Sequence, residues 1–207
     1  IKGLLSKKDF EVVSKKNDAD AVILNICTVK GNHVAMRAIR QTSKNFPSKK
    51  IIIAGCVPQD FVPKIIAAAP GASIINTHNL HKIAEAVEQT LQNISVQILE
   101  RSKEQKILLP RIRKNPIIGI IPISQGCDSA CTFCSVKFIK GNHVSYDAEK
   151  LANEVQNCVS DGCKEIWLTS QDTSCYGLDS GKNLSWLLKK LAQIDGSFKI
   201  RVGMANP

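Results

Sequence analysis

Three cysteines within eight residues, Cys127-x3-Cys131-x2-Cys134, are the part of this chain best suited to chemistry. Thiolates at this spacing on one loop can converge on a metal centre. A structural zinc ion takes four ligands, usually from paired C-x2-C units, and no second pair follows. A ferredoxin-type cluster takes a fourth cysteine. Three thiolates on a four-iron cube leave one iron open to another ligand. The competing reading is a chance spacing in a chain that has eight cysteines.

The elements that must hold this loop are legible as patterns. Short apolar runs at Ala21–Leu24, Ile51–Ala54, Ile74-Ile75, Ile117–Ile121, Ile166–Leu168 and Ile200–Met204 are continuous apart from single Gly or Arg interruptions. Such runs suit strands covered on both faces. Helical faces lie between them. Ile83, Val87, Leu91 and Ile94 share one face, as do Leu151, Val155, Cys158 and Val159, and Leu184, Leu187, Leu188 and Leu191. Asp147 and Asn183 suit N-caps and Gly162 a C-terminal stop. The alternation predicts an α/β protein with parallel sheets.

This arrangement places polar and thiol side chains at strand ends. The cysteine loop follows a strand ending near Ser124, the next strand runs into Ser170-Gln171-Asp172, and the one after it ends near Asn206. Carboxyl ends of parallel strands are where α/β barrels assemble their sites. In the first half, Cys27 follows one strand in Asn25-Ile26-Cys27-Thr28, and Cys56 follows another after Gly55. Either the two share a ligand at the sheet's carboxyl edge or they are buried structural thiols. Cys158 reads as core and Cys163 as structural, and Cys175 lies close to the proposed site without a role.

From Arg101 to Asn115 the periodicity stops, with six basic residues against Glu104, and Pro110 and Pro116 bracket its end. The stretch reads as a linker, either a basic strip for a phosphate backbone or a solvated connector. The net charge of +10 points to a polyanion, most simply a nucleic acid, or to a basic surface without a specific partner. No apolar run approaches the roughly 20 residues of a membrane span. The cysteines, without a signal peptide, point to a reducing intracellular compartment. The start, Ile1-Lys2-Gly3-Leu4-Leu5, reads like the tail of a helix, so the chain is expected to be a fragment.

The spacing of the three cysteines, with aromatic Phe133 before the last, resembles the radical S-adenosylmethionine superfamily. Further motifs extend the likeness: Asn25-Ile26-Cys27-Thr28-Val29, Ala54-Gly55-Cys56-Val57-Pro58, Gln125-Gly126-Cys127, Lys140-Gly141-Asn142, Ser145-Tyr146, Glu165 through Asp172, Tyr176-Gly177, Asn183-Leu184 and Gly203 through Pro207. Together they resemble the methylthiotransferases of that superfamily, in particular the archaeal and eukaryotic branch acting on threonylcarbamoyladenosine in tRNA.

The resemblance implies a Rossmann-like parallel α/β domain over residues 1–100, a linker over 101–115, and the first part of a radical SAM (β/α) partial TIM barrel over 116–207. It implies two [4Fe-4S] clusters, one on Cys127, Cys131 and Cys134, the other on Cys27, Cys56 and a cysteine upstream of residue 1. It also implies barrel strands and a small RNA-binding β-domain beyond Pro207. Phe133, Gln171, Asp172 and Asn206 match positions near S-adenosylmethionine. The implied reaction is one-electron cleavage of that cofactor, hydrogen abstraction from carbon 2 of the modified adenine at position 37, and insertion of a methylated sulfur. The implied partners are the tRNA anticodon loop and an electron donor, and the expected setting is a cytoplasmic monomer. Two other readings stay open, a family member acting on another tRNA base or a ribosomal protein, and a zinc-containing RNA-binding module.

Overall fold

The computed structural model describes residues 1–206, apart from the side chain of Lys30; Pro207, the end of the last motif, lies outside the described residues. The chain divides into two compact units, one up to Glu104 and one from Gln105 onward.

The first unit runs α1 (Lys2–Ser6), β1 (Ala21–Cys27), α2 (Asn32–Asn45), β2 (Lys50–Cys56), α3 (Val62–Ala68), β3 (Ser73–Asn76), α4 (Ile83–Leu91) and β4 (Gln97–Ile98). The four strands are parallel, in the order β1-β2-β3-β4. The unbroken Ile51-Ile52-Ile53-Ala54 run is explained by its two coverings. Ile51 and Ile53 pack with Ile26, Ile39 and Ile65 on one face. Ile52 and Ala54 pack with Ile83 and Val87 on the other. Burying an isoleucine fully stabilises by about 1.5–3 kcal/mol, so a strand covered twice has no use for polar alternation.

Two expectations need correction here. Cys27 and Cys56 do not follow their strands but are the last residues of β1 and β2. Asn25 and Gly55 interrupt the apolar runs, yet backbone pairing continues through Asn25–Ala54, Ile26–Gly55 and Cys27–Cys56. Ile94, expected on the face of Ile83 and Val87, lies beyond α4 and is exposed. Asn93 takes a φ of 67°, which stops the helix before it.

The second unit contains β5 (Ile118–Pro122), β6 (Ser124–Gln125), α5 (Val136–Lys140), β7 (Val144–Ser145), α6 (Ala148–Ser160), β8 (Glu165–Thr169), α7 (Leu184–Leu191) and β9 (Lys199–Val202). Strands β5, β8 and β9 form a parallel sheet in that order, and β6 and β7 pair antiparallel. Leu151, Val155, Cys158, Leu187 and Leu191 pack with Ile121, Ile166 and Leu168 in one core. Sequential parallel strands, each followed by a helix packed against the sheet, are the repeat of an α/β barrel. Both N-caps form: Asp147 accepts from the Lys150 N–H at 2.9 Å and Asn183 from the Trp186 N–H at 2.8 Å. Cys158 and Cys163 are buried.

The stretch from 101 to 115 is divided between the units. Its second part is anchored. Ile107 enters the core of the second unit, and the Leu108 N–H donates to Glu154 Oε2. Arg111 pairs with Glu154 at 3.2 Å and Arg113 with Asp161 at 2.7 Å. Burial alone would lower the Arg113 pKa, but Asp161 and the nearby Cys158 and Cys163 leave it raised. No helix among the described residues is long and apolar enough to cross a membrane.

Candidate functional site

In the second unit the cysteine loop leaves the carboxyl end of β6, and the backbone after α5 pins it. The Cys127 N–H donates to the Gly141 carbonyl at 3.1 Å, and the His143 N–H donates to Asp128 Oδ1 at 3.1 Å. Gly126 makes this possible. With a φ of 75° it brings its backbone against Asn142 so closely that a Cβ would lie 2.7 Å from Gly141 O and nearer still to Asn142 O. Only glycine meets both demands. At the far end of the loop the Cys134 N–H closes a turn on the Cys131 carbonyl at 3.1 Å. Cys127 and Cys134 are half-buried and Cys131 is exposed.

Behind the loop lies a polar relay. Gln125 Oε1 accepts from Lys106 Nζ at 3.1 Å and from the Tyr146 hydroxyl at 3.4 Å. The Tyr176 hydroxyl donates to the Tyr146 carbonyl at 2.9 Å. Burial first, then Asp147 and Asp179, push the Tyr176 pKa up to about 12, so it remains a donor at neutral pH.

The loop after β8 is the second part of the site. Asp172 is buried, and both its oxygens are used within the chain. Oδ1 accepts from the Ser174 N–H (3.0 Å), the Ser174 hydroxyl (2.6 Å) and the Asn206 N–H (3.2 Å), and Oδ2 accepts from the Cys175 thiol (3.2 Å). Thr173 adds two bonds, from its N–H to Met204 O and from its hydroxyl to Gly203 O. The loop after β8 is thereby tied to the segment after β9. Burial works to raise the Asp172 pKa, but the donors around it outweigh that and hold it below the ordinary carboxylate value. Burial, and then Asp172, push the Cys175 thiol up.

Their neighbours are arranged differently. Among the described residues, Ser124 Oγ, Ser170 Oγ, Gln171 Oε1 and His143 Nδ1 in the second unit, and His81 Nδ1 in the first, are buried atoms with no hydrogen-bond partner. Buried polar atoms are nearly always paired, so the four around the β6–β7 pair and just beyond the carboxyl end of β8 are what a binding site for a polar ligand presents. The structure brings Cys127, Cys131, Cys134 and Phe133 onto one loop, and brings Asp172 and Asn206 into contact with each other. Phe133 is 91% exposed. Ser124 and His143 were not singled out from sequence; the only hint was their place beside the cysteine motif.

In the first unit, Cys27 and Cys56 are register partners on neighbouring strands, whose backbones lie about 4.8 Å apart in a sheet. Cys27 is exposed and Cys56 buried. Thr28 Oγ1 donates to Cys56 O at 2.9 Å, which fixes the end of β2 against the end of β1. A Cβ on Gly55 would stand 2.6 Å from Asn25 Oδ1, so this edge also depends on a glycine.

Among the described residues, no three His, Cys, Asp or Glu side chains are grouped to hold one metal ion. Ligands of a single zinc converge to about 2.3 Å from one centre. Thiolates on a four-iron cube each bind a different iron, and the three cysteines of this loop are candidate ligands for one.

Comparison with known proteins gives a separate match in each unit. Residues 1–77 match uncharacterized protein family UPF0004, and residues 121–204 match the Radical SAM superfamily. A probable threonylcarbamoyladenosine tRNA methylthiotransferase of Methanothermobacter thermautotrophicus is 35% identical over 97% of this chain and 48% of its own length. The Homo sapiens threonylcarbamoyladenosine tRNA methylthiotransferase is 37% identical over 99% of this chain and 36% of its own length. The Drosophila melanogaster protein of the same name is 38% identical over 94% and 37%. The chain thus spans less than half the length of these relatives. Residues 121–204 thus carry the Radical SAM superfamily match, and nearly the whole chain is similar to threonylcarbamoyladenosine tRNA methylthiotransferases of archaea and eukaryotes.

Proposed function

We propose that the protein methylthiolates carbon 2 of N6-threonylcarbamoyladenosine in the anticodon loop of tRNA. The proposal uses S-adenosylmethionine and two [4Fe-4S] clusters. The observation that carries it is the three-cysteine loop at the carboxyl edge of the second unit's sheet, beside four unpartnered buried polar atoms. When bound, the cluster and S-adenosylmethionine supply the one-electron chemistry that an unreactive adenine carbon requires.

The chain's own residues have separate tasks. Cys127, Cys131 and Cys134 hold the first cluster, on a loop whose position Gly126 and Gly141 fix. Gln171 and Ser170 offer unpaired polar atoms to the cofactor, and Phe133 covers it. Asp172 and Asn206 hold each other, so in this reading they set the pocket's wall. Cys27 and Cys56 contribute to the second cluster, which needs a further ligand, and the register of β1 and β2 keeps them adjacent. The basic composition suits a tRNA substrate, and an electron donor is required.

Anaerobic reconstitution of the full-length protein with iron and sulfide tests this directly. The expected result is a brown protein that cleaves S-adenosylmethionine when reduced. A Cys127/Cys131/Cys134→Ala variant that still cleaved it would refute the ligand assignment. Mass spectrometry of tRNA nucleosides from cells with and without the gene tests the substrate. An unchanged methylthio nucleoside would remove the tRNA assignment and turn attention to a protein substrate.

A further inference from the structure

Helix α2 carries its charges on the side away from the core. Its buried residues are Ala35, Ile39 and Thr42, and Ala35 and Ile39 share a core with Ile26, Phe61 and Ile65. His33, Arg37, Arg40 and Lys44 follow one another at steps of four, three and four residues. An α-helix turns about 100° per residue, so these four lie within an arc of about 60° opposite the buried face. All four are exposed.

The stripe has one sign. No Asp or Glu occurs from Ala21 to Gln59, a stretch that contains β1, α2 and β2. Strand β1 and helix α3 pack against α2, and α3 has no acid and adds an exposed Lys64. Near the end of α2 the turn Lys16–Asp18 brings one charge of each sign, with Lys16 Nζ donating to Thr42 Oγ1 at 3.4 Å. Arg37, Arg40 and Lys44 form no ion pair or side-chain hydrogen bond among the described residues. Like charges three and four residues apart repel and weaken a helix, and the first turn of α2 has no acid to offset them. A helix face that only meets water ordinarily mixes both signs. The repulsion along α2 is relieved by a ligand bearing several negative charges, and guanidinium groups suit phosphate oxygens in particular. The helix starts just past Cys27 and runs back along the sheet, so the stripe begins at the carboxyl edge where β1 and β2 end. A membrane surface would require an apolar face turned outward. That face of α2 is spent on the core, and Val34 is the one large apolar residue exposed on the helix.

We propose that Arg37, Arg40 and Lys44, with His33 at the head of the stripe, bind the phosphate backbone of the tRNA substrate. This rests on the tRNA reading above and gives the first unit a share in holding the substrate. Each phosphate neutralised on a nucleic acid contributes about 0.7–0.9 to the slope of log affinity against log salt.

The test uses the full-length protein and a transcribed tRNA, with affinity read by fluorescence anisotropy between about 50 and 200 mM salt. The triple variant Arg37→Ala/Arg40→Ala/Lys44→Ala should flatten the salt slope by about two and weaken binding at least about tenfold at the lowest salt. Its melting temperature should not fall, because alanine suits an exposed helix and the repulsion is gone. Arg37→Lys/Arg40→Lys should keep the slope. Lys2→Ala/Lys7→Ala/Lys8→Ala removes the same net charge from exposed positions of the first unit and should leave affinity within about twofold of the parent. Equal weakening by the two alanine triples would overturn the proposal, since net charge alone would then explain the binding. Weakening without a flatter slope would overturn it as well, because phosphate contacts must release counterions. A stripe variant that bound tRNA like the parent would overturn it and leave the tRNA reading standing. Loss of binding to vesicles of phosphatidylcholine and phosphatidylserine by that same variant would then assign the stripe to a membrane. A parent protein that binds no tRNA would remove the tRNA reading, and the proposal with it.

Discussion

Replacing Asp172 tests whether a residue that sequence places at the cofactor acts there or braces the fold. Asp172→Ala removes the acceptor for four donors, the Ser174 N–H and hydroxyl, the Cys175 thiol and the Asn206 N–H. Hydrogen bonds to a charged group contribute about 1.5–3 kcal/mol each, and bonds sharing one acceptor are not additive. Ser174 and Asn206 are exposed, so water recovers part of the loss. The expected cost is about 2–3 kcal/mol, within the range for breaking a buried polar network. In a unit of about a hundred residues each kcal/mol moves the midpoint by about 4–8 °C, so the melting temperature should fall by on the order of 10 °C. Asp172→Asn keeps the Oδ1 acceptor and should lose about 1 kcal/mol. The pH dependence supplies a second criterion. The folded-state pKa of Asp172 is depressed, so its stabilisation is fully present above the ordinary carboxylate value and is lost as pH falls through the depressed one. The gap in stability between parent and Asp172→Asn should therefore be widest near neutrality and close in acid, as followed by circular dichroism melts. An Asp172→Ala protein that melted with the parent and lost only affinity for S-adenosylmethionine would show the brace to be wrong.

Three further perturbations follow from close packing and capping. Gly126→Ala must push the Gly141–Asn142 backbone away or abandon its positive φ, and should reduce the iron retained after anaerobic reconstitution more than it reduces helix content. Gly55→Ala puts a Cβ against Asn25 Oδ1 and Ile26 O where the backbone φ is 111°, and should destabilise the first unit by roughly 1–3 kcal/mol in urea titration while leaving the second unit's transition in place. Asn183→Ala removes the cap of α7 and should cost about 1 kcal/mol in the second unit, with Asn183→Asp restoring it.

The parts of this molecule that sequence discloses are those whose causes are local. The cysteine spacing needs only a loop, the caps at Asp147 and Asn183 reach three residues, and the Ile51–Ala54 run declares its double covering by lacking alternation. Helix α2 escaped notice because its buried side is only Ala35, Ile39 and Thr42. The β6–β7 pair escaped because two residues per strand give no period to read. The continuation of β1 and β2 to Cys27 and Cys56 is set by pairing between strands, which the composition of either strand alone does not carry.

The same distinction separates the residues nominated around the cofactor. Gln171 and Asp172 are adjacent, polar and at the end of one strand, so pattern alone treats them alike. The fold does not. Asp172 is satisfied from within the chain, in part by a residue 34 positions away, whereas the Gln171 Oε1 has no partner among the described residues. A buried acceptor that is already saturated gains little from a ligand, while one left unpaired costs about 1–3 kcal/mol until something donates to it. At this edge unmet hydrogen-bonding capacity therefore separates candidate ligand contacts from groups that hold the chain to itself. On the proposed reading Ser124, Ser170, Gln171 and His143 would contact the ligand, and Asp172 with Asn206 would belong to the frame.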